Sequence, residues 1–264
     1  MMSQTLRLSD GLTAHALVAG EGPPLVLIHG VGMCAQTWAP QIALLAAHHR
    51  LIAVDMPGHG QSDPLPLNAN LSDFVTWAAQ VIAALGVGPV NLAGHSMGAL
   101  MTIGTAIEYP QLVLRAAALN AVYQRTPDAR AAVRARAAEI AANLGGIDGP
   151  LDRWFTPAQE TLRDQVAGWL RAVSHRGYAT AYSAFAEGDT VYAGRMHLIR
   201  CPLLVLTGEG DANSTPAMTE TMASQAPHAR AVVIAGHRHM VTLTAPEAVN
   251  EALLTWLTTQ ETAA

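Results

Sequence analysis

Lysine is missing from this 264-residue chain, and all 15 of its Lys+Arg residues are arginine. The absence excludes an internal-lysine Schiff base, and with it pyridoxal and lysine-type aldolase chemistry. It also excludes the Gly-Lys-Ser/Thr loop of nucleotide hydrolases and the strand lysine of protein kinases. Any permanent cation must be an arginine, which cannot act as a base near neutral pH. Charge of both signs is scarce: 13% of residues are charged and 50% are hydrophobic, the reverse of a disordered composition. A formal net charge of −5 gives no basic footprint for nucleic acid or an anionic membrane. The two cysteines, Cys34 and Cys201, are far apart and lack metal spacing, so no disulfide framework is expected and a reducing, cytoplasmic setting is. Met1–Gly11 lacks the apolar stretch of a secretion signal. No apolar run reaches the ~18 residues of a membrane span. The expected partner is a small-molecule substrate, not nucleic acid or membrane, with a homodimer left open.

What is present is an alternation of short apolar runs and helical stretches. Leu6–Leu8 and Leu12–Ala19 read as strands around Asp10-Gly11. Leu25–Ile28 is a continuous apolar run, as a buried parallel strand is, and Leu51–Val54, Val90–Ala93 and Val113–Leu119 read as further strands. Helices are expected between them at Thr37–Ala47, Ser72–Leu85 (capped by Ser72, stopped by Gly86) and Ala99–Tyr109. The alternation stops over residues 123–196, where only helices are expected: Arg125–Leu144, Pro157–His175 and Gly177–Ala186. It returns with strands at Leu203–Thr207 and Ala231–Ile234 and helices at Pro216–Ala226 and Pro246–Thr259. The pattern predicts a mostly parallel sheet flanked by helices, built from residues 1–122 and 197–264, with a helical insertion at 123–196.

Gly94-His95-Ser96-Met97-Gly98 follows a strand and precedes a helix. That is the context in which a strained turn lifts a serine hydroxyl above the sheet edge. Such a serine needs a base, and the base an orienting acid. Asp211 follows the strand Leu203–Thr207, and His237 and His239 follow Ala231–Ile234, so acid and base come after Ser96 in that order. His29-Gly30-Val31-Gly32 follows Leu25–Ile28, where glycines let backbone amides face a developing oxyanion. Val31 and Met97 are the expected donors, with Gly32 as alternative to Val31. A metal role for His237-x-His239 lacks a third ligand, and neither metal nor cofactor is expected. His29, Asp55 and Ser62 are expected to hold the neighbouring loops, Cys34 to line the pocket and Trp38 to pack.

These ordered motifs, together with Asp55-Met56-Pro57-Gly58-His59-Gly60-Gln61-Ser62 and Ala245-Pro246-Glu247, resemble those of the α/β-hydrolases. The resemblance implies that fold with a helical cap. Its register selects His239 over His237 as the base, because a short stretch and then Pro-Glu follow the base histidine in the family. Trp154-Phe155-Thr156 and Gly177-Tyr178-Ala179, followed by Ala184 and Asp189, resemble the cap of 3-oxoadipate enol-lactone hydrolases. The elbow departs from those lactonases, which carry a small uncharged residue at the His95 position.

The lactonase likeness implies a carboxylate substrate, which an arginine would pair with bidentately. Arg125, Arg153 and Arg176 are the candidates, and His95, Trp154 and Tyr178 are further candidate substrate contacts. The expected activity is hydrolysis of a small carboxylic ester or lactone by Ser96, His239 and Asp211. Amide or carbon–carbon cleavage on the same residues is the alternative. A ligand-binding receptor is disfavoured by the intact Ser96, Asp211 and His239 set, and dehalogenase or epoxide hydrolase chemistry by serine where those need aspartate.

Overall fold

A computed structural model describes residues 1–259. Eight strands form one sheet: β1 (Met2–Arg7), β2 (Thr13–Ala19), β3 (Pro24–Ile28), β4 (Arg50–Val54), β5 (Val90–His95), β6 (Val113–Leu119), β7 (Leu203–Gly208) and β8 (Ala229–Ile234). Their spatial order is β1-β2-β4-β3-β5-β6-β7-β8. β1 and β2 form an antiparallel hairpin, β2 meets β4 antiparallel, and every later pairing is parallel. The parallel strands need crossover connections, which the intervening helices supply.

Successive side chains of a strand face opposite ways, so the apolar runs feed two cores. Ile52, Val54 and Leu92 join one layer with Phe74, Val75 and Ile82 of α2 (Leu71–Leu85) and Met101 of α3 (Met97–Glu108). Leu51, Ala53 and Ala93 join the other with Ile42 and Leu45 of α1 (Ala39–Leu45) and Val249 and Leu253 of the C-terminal helix Pro246–Leu257. The cap of α2 lies two residues before the expected Ser72. Asn70 is the cap, and a reciprocal bond from the Asn70 amide to Asp73 completes a capping box. Leu71 thereby enters the helix and the core.

Between β6 and β7 lie α4 (Pro127–Ala141), α5 (Asp148–Trp154), α6 (Glu160–Ala172) and α7 (His175–Gly188). α5 is absent from the sequence expectation because Asp148-Gly149-Pro150 reads as a turn. This insertion has its own apolar cluster of Ile140, Leu151, Phe155, Val166, Leu170 and Tyr178. The cluster takes in Met33 and Met240 from turns and Leu243 from the short helix Val241–Thr244, so burial joins the insertion to the edge where β3, β5 and β8 end. After β7 come α8 (Pro216–Gln225), α9 (Val241–Thr244) and α10, the C-terminal helix already described.

Candidate active site

Ser96 stands between β5 and α3 at φ 56°, ψ −114°, a conformation a non-glycine residue reaches only when its surroundings enforce it. The enforcement is visible at the flanking glycines. A Cβ on Gly94 would lie 2.0 Å from the Gly98 carbonyl oxygen, and one on Gly98 would lie 2.2 Å from that of Ile28. The Ser96 amide is tied to Leu119 O at 2.8 Å.

The turns after β7 and β8 bring the other two groups together. His239 Nδ1 donates to Asp211 Oδ2 at 2.7 Å, which fixes the tautomer and leaves Nε2 as the free ring nitrogen. Asp211 Oδ2 also accepts from Asn120 Nδ2 at 2.8 Å, and Oδ1 from the amides of Asn213 and Ser214 at 2.8 and 3.1 Å. Burial pushes this carboxyl up, but His239, Asn120 and the Asn213 amide outweigh it and hold Asp211 below its ordinary value. Ser96 and His239 face the same cavity. No hydrogen bond joins Ser96 Oγ to His239 among the described residues, and contacts of this kind often tighten only around a bound substrate.

His237 lies elsewhere, with Nδ1 on Thr244 Oγ1 at 3.0 Å, so the structure brings His239 and not His237 to Asp211. The loop after β3 bears on the Val31 and Gly32 alternative. The Gly32 N–H donates to His59 Nε2 at 2.9 Å and is already spent. Val31 lines the cavity, and neither the Val31 nor the Met97 amide is committed to a protein acceptor among the described residues. The loop is close to the serine: a Cβ on Gly30 would lie 3.0 Å from Ser96 Cβ.

The cavity measures about 500 Å³, in the range of small-molecule sites. Its wall includes Val31, Ser96, His239, Trp154, Tyr178, Tyr182 and Phe185, with Arg125, Arg136, Arg153 and a single acid, Glu139. The Trp154 ring stacks on His239 at 5.6 Å between centroids. Tyr178, Tyr182 and Phe185 meet edge to face along α7, and burial pushes the Tyr178 hydroxyl up to about 12.

Arg125 is buried in this wall. Its Nη1 reaches Asp189 Oδ1 at 3.2 Å, and its own backbone N–H donates to Asp189 Oδ2 at 2.6 Å. Phe185 packs under the guanidinium at 4.5 Å, and Nη2 has no partner. Arg136 pairs with Glu139 at 3.1 Å. Arg153 is exposed at the rim and carries no ion pair among the described residues.

Three expectations are corrected by position. His95 is not in the cavity wall. It is buried behind it, donating from Nε2 to the His239 carbonyl at 2.9 Å. Cys34 does not line the cavity either; its thiol turns to Gln36 and burial raises it to about 11. Arg176 is exposed and outside the cavity. Trp38 is wholly buried in packing, and Asp55 holds the Ala35 and Gln61 amides while Ser62 Oγ donates to Asp55 O. Asn120, Arg136 and Tyr182 are additions to the sequence reading, while His59 and Asp189 stand in its quoted motifs without a role. Of the three additions Asn120 carries a signal, as the polar residue that follows an apolar strand.

The chain is similar to known proteins. Residues 25–252 match the alpha/beta hydrolase family model. The chain is 53% identical over 261 residues to the (E)-2-((N-methylformamido)methylene)succinate hydrolase of Acinetobacter baylyi, covering 98% of this chain and 99% of that one. Among solved structures it resembles the enol-lactonase of Burkholderia xenovorans with a TM-score of 0.88 at 24% identity, over 97% of this chain and 100% of that one. It also resembles an E-2-(acetamidomethylene)succinate hydrolase with a TM-score of 0.80 at 22% identity, over 98% and 99%. The chain belongs to the alpha/beta hydrolase family and is an enzyme of that class.

Proposed function

We propose that this enzyme is a cofactor-free serine hydrolase that removes the N-acyl group of a small enamide carrying two carboxylates. The observation that carries the reading is one cavity lined by Ser96, His239 and three arginines against a single acid. It is supported by the 53% identical relative, whose name describes an N-methylformamido group on a methylene-succinate skeleton.

Ser96 Oγ attacks the acyl carbonyl and gives its proton to His239 Nε2. Asp211 holds the imidazole from Nδ1 and stabilises the imidazolium that forms. The carbonyl oxygen, now an oxyanion, takes hydrogen bonds from the Val31 and Met97 amides. His239 then protonates the leaving nitrogen, the C–N bond breaks, and water repeats the sequence on the acyl-Ser96 ester. Arg125, with Nη2 unspent, and Arg153 at the rim are the carboxylate partners. Phe185 and Asp189 keep the Arg125 fork in one orientation, so little side-chain freedom is lost on binding. Trp154 and Tyr178 supply the apolar wall beside the acyl carbon.

Ester or lactone hydrolysis is the second reading. The same residues serve it, because an alkoxide leaving group needs the same proton from His239. The test is a matched panel of N-acyl enamides, esters and lactones, each with and without carboxylates, assayed on the parent and on Ser96→Ala. Preference for the carboxylated enamides, lost in Ser96→Ala, is expected. Turnover that survives in Ser96→Ala would end the mechanism, and turnover confined to esters or lactones would replace the enamide reading with the second one.

A further inference from the structure

The Pro57–Gly60 loop lies between the helical insertion and the turn that presents Val31. The Ser174 hydroxyl at the start of α7 donates to the Gly58 carbonyl at 3.1 Å and caps the helix by accepting from the Gly177 amide at 3.0 Å. Gly177 touches Gly58 backbone to backbone, and a Cβ on Gly177 would lie 2.0 Å from the Gly58 oxygen. The next residue, His59, is completely buried. Its Nδ1 donates to Pro57 O at 3.0 Å, so its Nε2 is a bare acceptor, and that acceptor takes the Gly32 N–H at 2.9 Å. Gly32 is at φ +81° and is pressed from the other side by the insertion, since a Cβ there would lie 2.5 Å from Leu170 Cδ2 and 3.1 Å from Tyr178 Cε2.

We propose that His59 is a positioning residue that transmits the docking of the helical insertion to the oxyanion-binding amide. The first turn of α7 fixes Gly58, Gly58 fixes the His59 ring, and the ring holds the Gly32 N–H. The peptide before Gly32 is then set in one orientation, and the Val31 N–H is left for the substrate oxygen. This inference rests on the proposed role of Val31. Burial supports it by pulling His59 down to about 3, so that the ring stays an acceptor wherever the enzyme works.

The test compares ground-state and tetrahedral binding. His59→Leu removes the acceptor, His59→Gln keeps one of similar reach, and Ser174→Ala and Gly177→Ala disturb the Gly58 contact without touching the cavity. The probe is a carboxylated trifluoromethyl ketone, which forms a tetrahedral oxyanion on Ser96. His59→Leu should lower kcat and weaken the ketone by about 10²–10³-fold, as removal of one oxyanion donor does, with KM within a few-fold of the parent. His59→Gln should recover most of that loss. Ser174→Ala and Gly177→Ala should lower kcat and ketone affinity together by about tenfold.

Parent-like kcat and ketone affinity in His59→Leu would overturn the inference, as would equal losses in KM and ketone affinity. If His59→Leu does not fold, Ser174→Ala and Gly177→Ala decide by the same comparison. Failure of the underlying mechanism has a different signature: Ser96→Ala would keep turnover and the parent would form no ketone adduct.

Discussion

Arg125 has two tasks in this account, one structural and one in binding, and a pair of variants separates them. Its side chain is 3% exposed and that of Asp189 0%. Asp189 accepts from Arg125 Nη1, from the Arg125 backbone and, at 3.0 Å, from Arg130 Nη2. Asp189→Ala leaves a buried guanidinium with no counter-charge beside it, which costs about 3–5 kcal/mol. For a domain of this size that lowers Tm by roughly 6–20 °C. Arg125→Met with Asp189→Leu removes both charges and fills the space, and exchanges of this kind are often close to neutral in stability. The double variant should therefore recover part of the lost Tm, since the Arg125 backbone N–H and Arg130 still lose their acceptor. It should not recover binding, because the proposed carboxylate partner is gone. A hydrogen bond to a charged group contributes about 1.5–3 kcal/mol, so KM for a carboxylated substrate should rise about 10–150-fold relative to its uncharged methyl ester. Thermal melts and paired kinetics on acid and ester read the two effects separately. A double variant that is as stable as the parent and still prefers the carboxylate would refute the binding role of Arg125. One that is as unstable as Asp189→Ala would refute the buried-pair argument.

Other consequences follow from the same geometry. Asp211→Asn should lower kcat by about 10⁴-fold with little change in KM, since the wrong tautomer is presented, and steady-state kinetics will show whether the loss falls on kcat. His59 and His95 are both held neutral by burial, at about 3. The unfolded chain takes up protons on these two histidines as pH falls below about 6.5 while the native state does not. Unfolding free energy should drop by about 1.4 kcal/mol per pH unit for each of them between about pH 6.5 and pH 3. Asp211 acts lower down: its stabilisation is present above the ordinary carboxylate value and is lost as pH falls through its depressed one. Urea titrations at pH 7.5 and 5.5 measure the histidine effect, and equal stabilities would contradict it. Gly98→Ala must move backbone to clear Ile28 O; it should abolish turnover or destabilise the fold by about 1–3 kcal/mol. His237→Asn, outside the cavity, should leave kcat within a few-fold of the parent.

The sheet was legible because its parallel strands are short and mostly apolar, with Leu25–Ile28 apolar throughout, a signal that depends on neither partner nor register. The Gly94–Gly98 elbow was legible because the strain at Ser96 needs small residues at fixed offsets. Asp211 and His239 were legible as strand-end residues in the right chain order. Contacts between segments distant in sequence were not. Asn120 meets Asp211 across 91 positions and His59 meets Gly32 across 27, and no local pattern marks either pair. α5 was hidden by its Gly-Pro start, which resembles a turn although proline is well tolerated in a helix's first turn. Arg136 lies on α4, whose apolar and charged positions are weakly segregated, so the face turned to the cavity could not be read in advance. Cys34 and His95 were misplaced for one reason: nearness in sequence to Val31 and Ser96 does not give the direction of a side chain.

The central claim is that an acyl group passes through Ser96. Rapid quenching of the parent with a slowly deacylating substrate, followed by intact-mass and peptide analysis, tests it most directly. One acyl adduct per chain is expected, confined to the peptide containing Ser96, with no adduct in Ser96→Ala and a fall in turnover of roughly 10⁴-fold or more. An adduct on another residue such as Cys34, or Ser96→Ala turnover close to that of the parent, would contradict it.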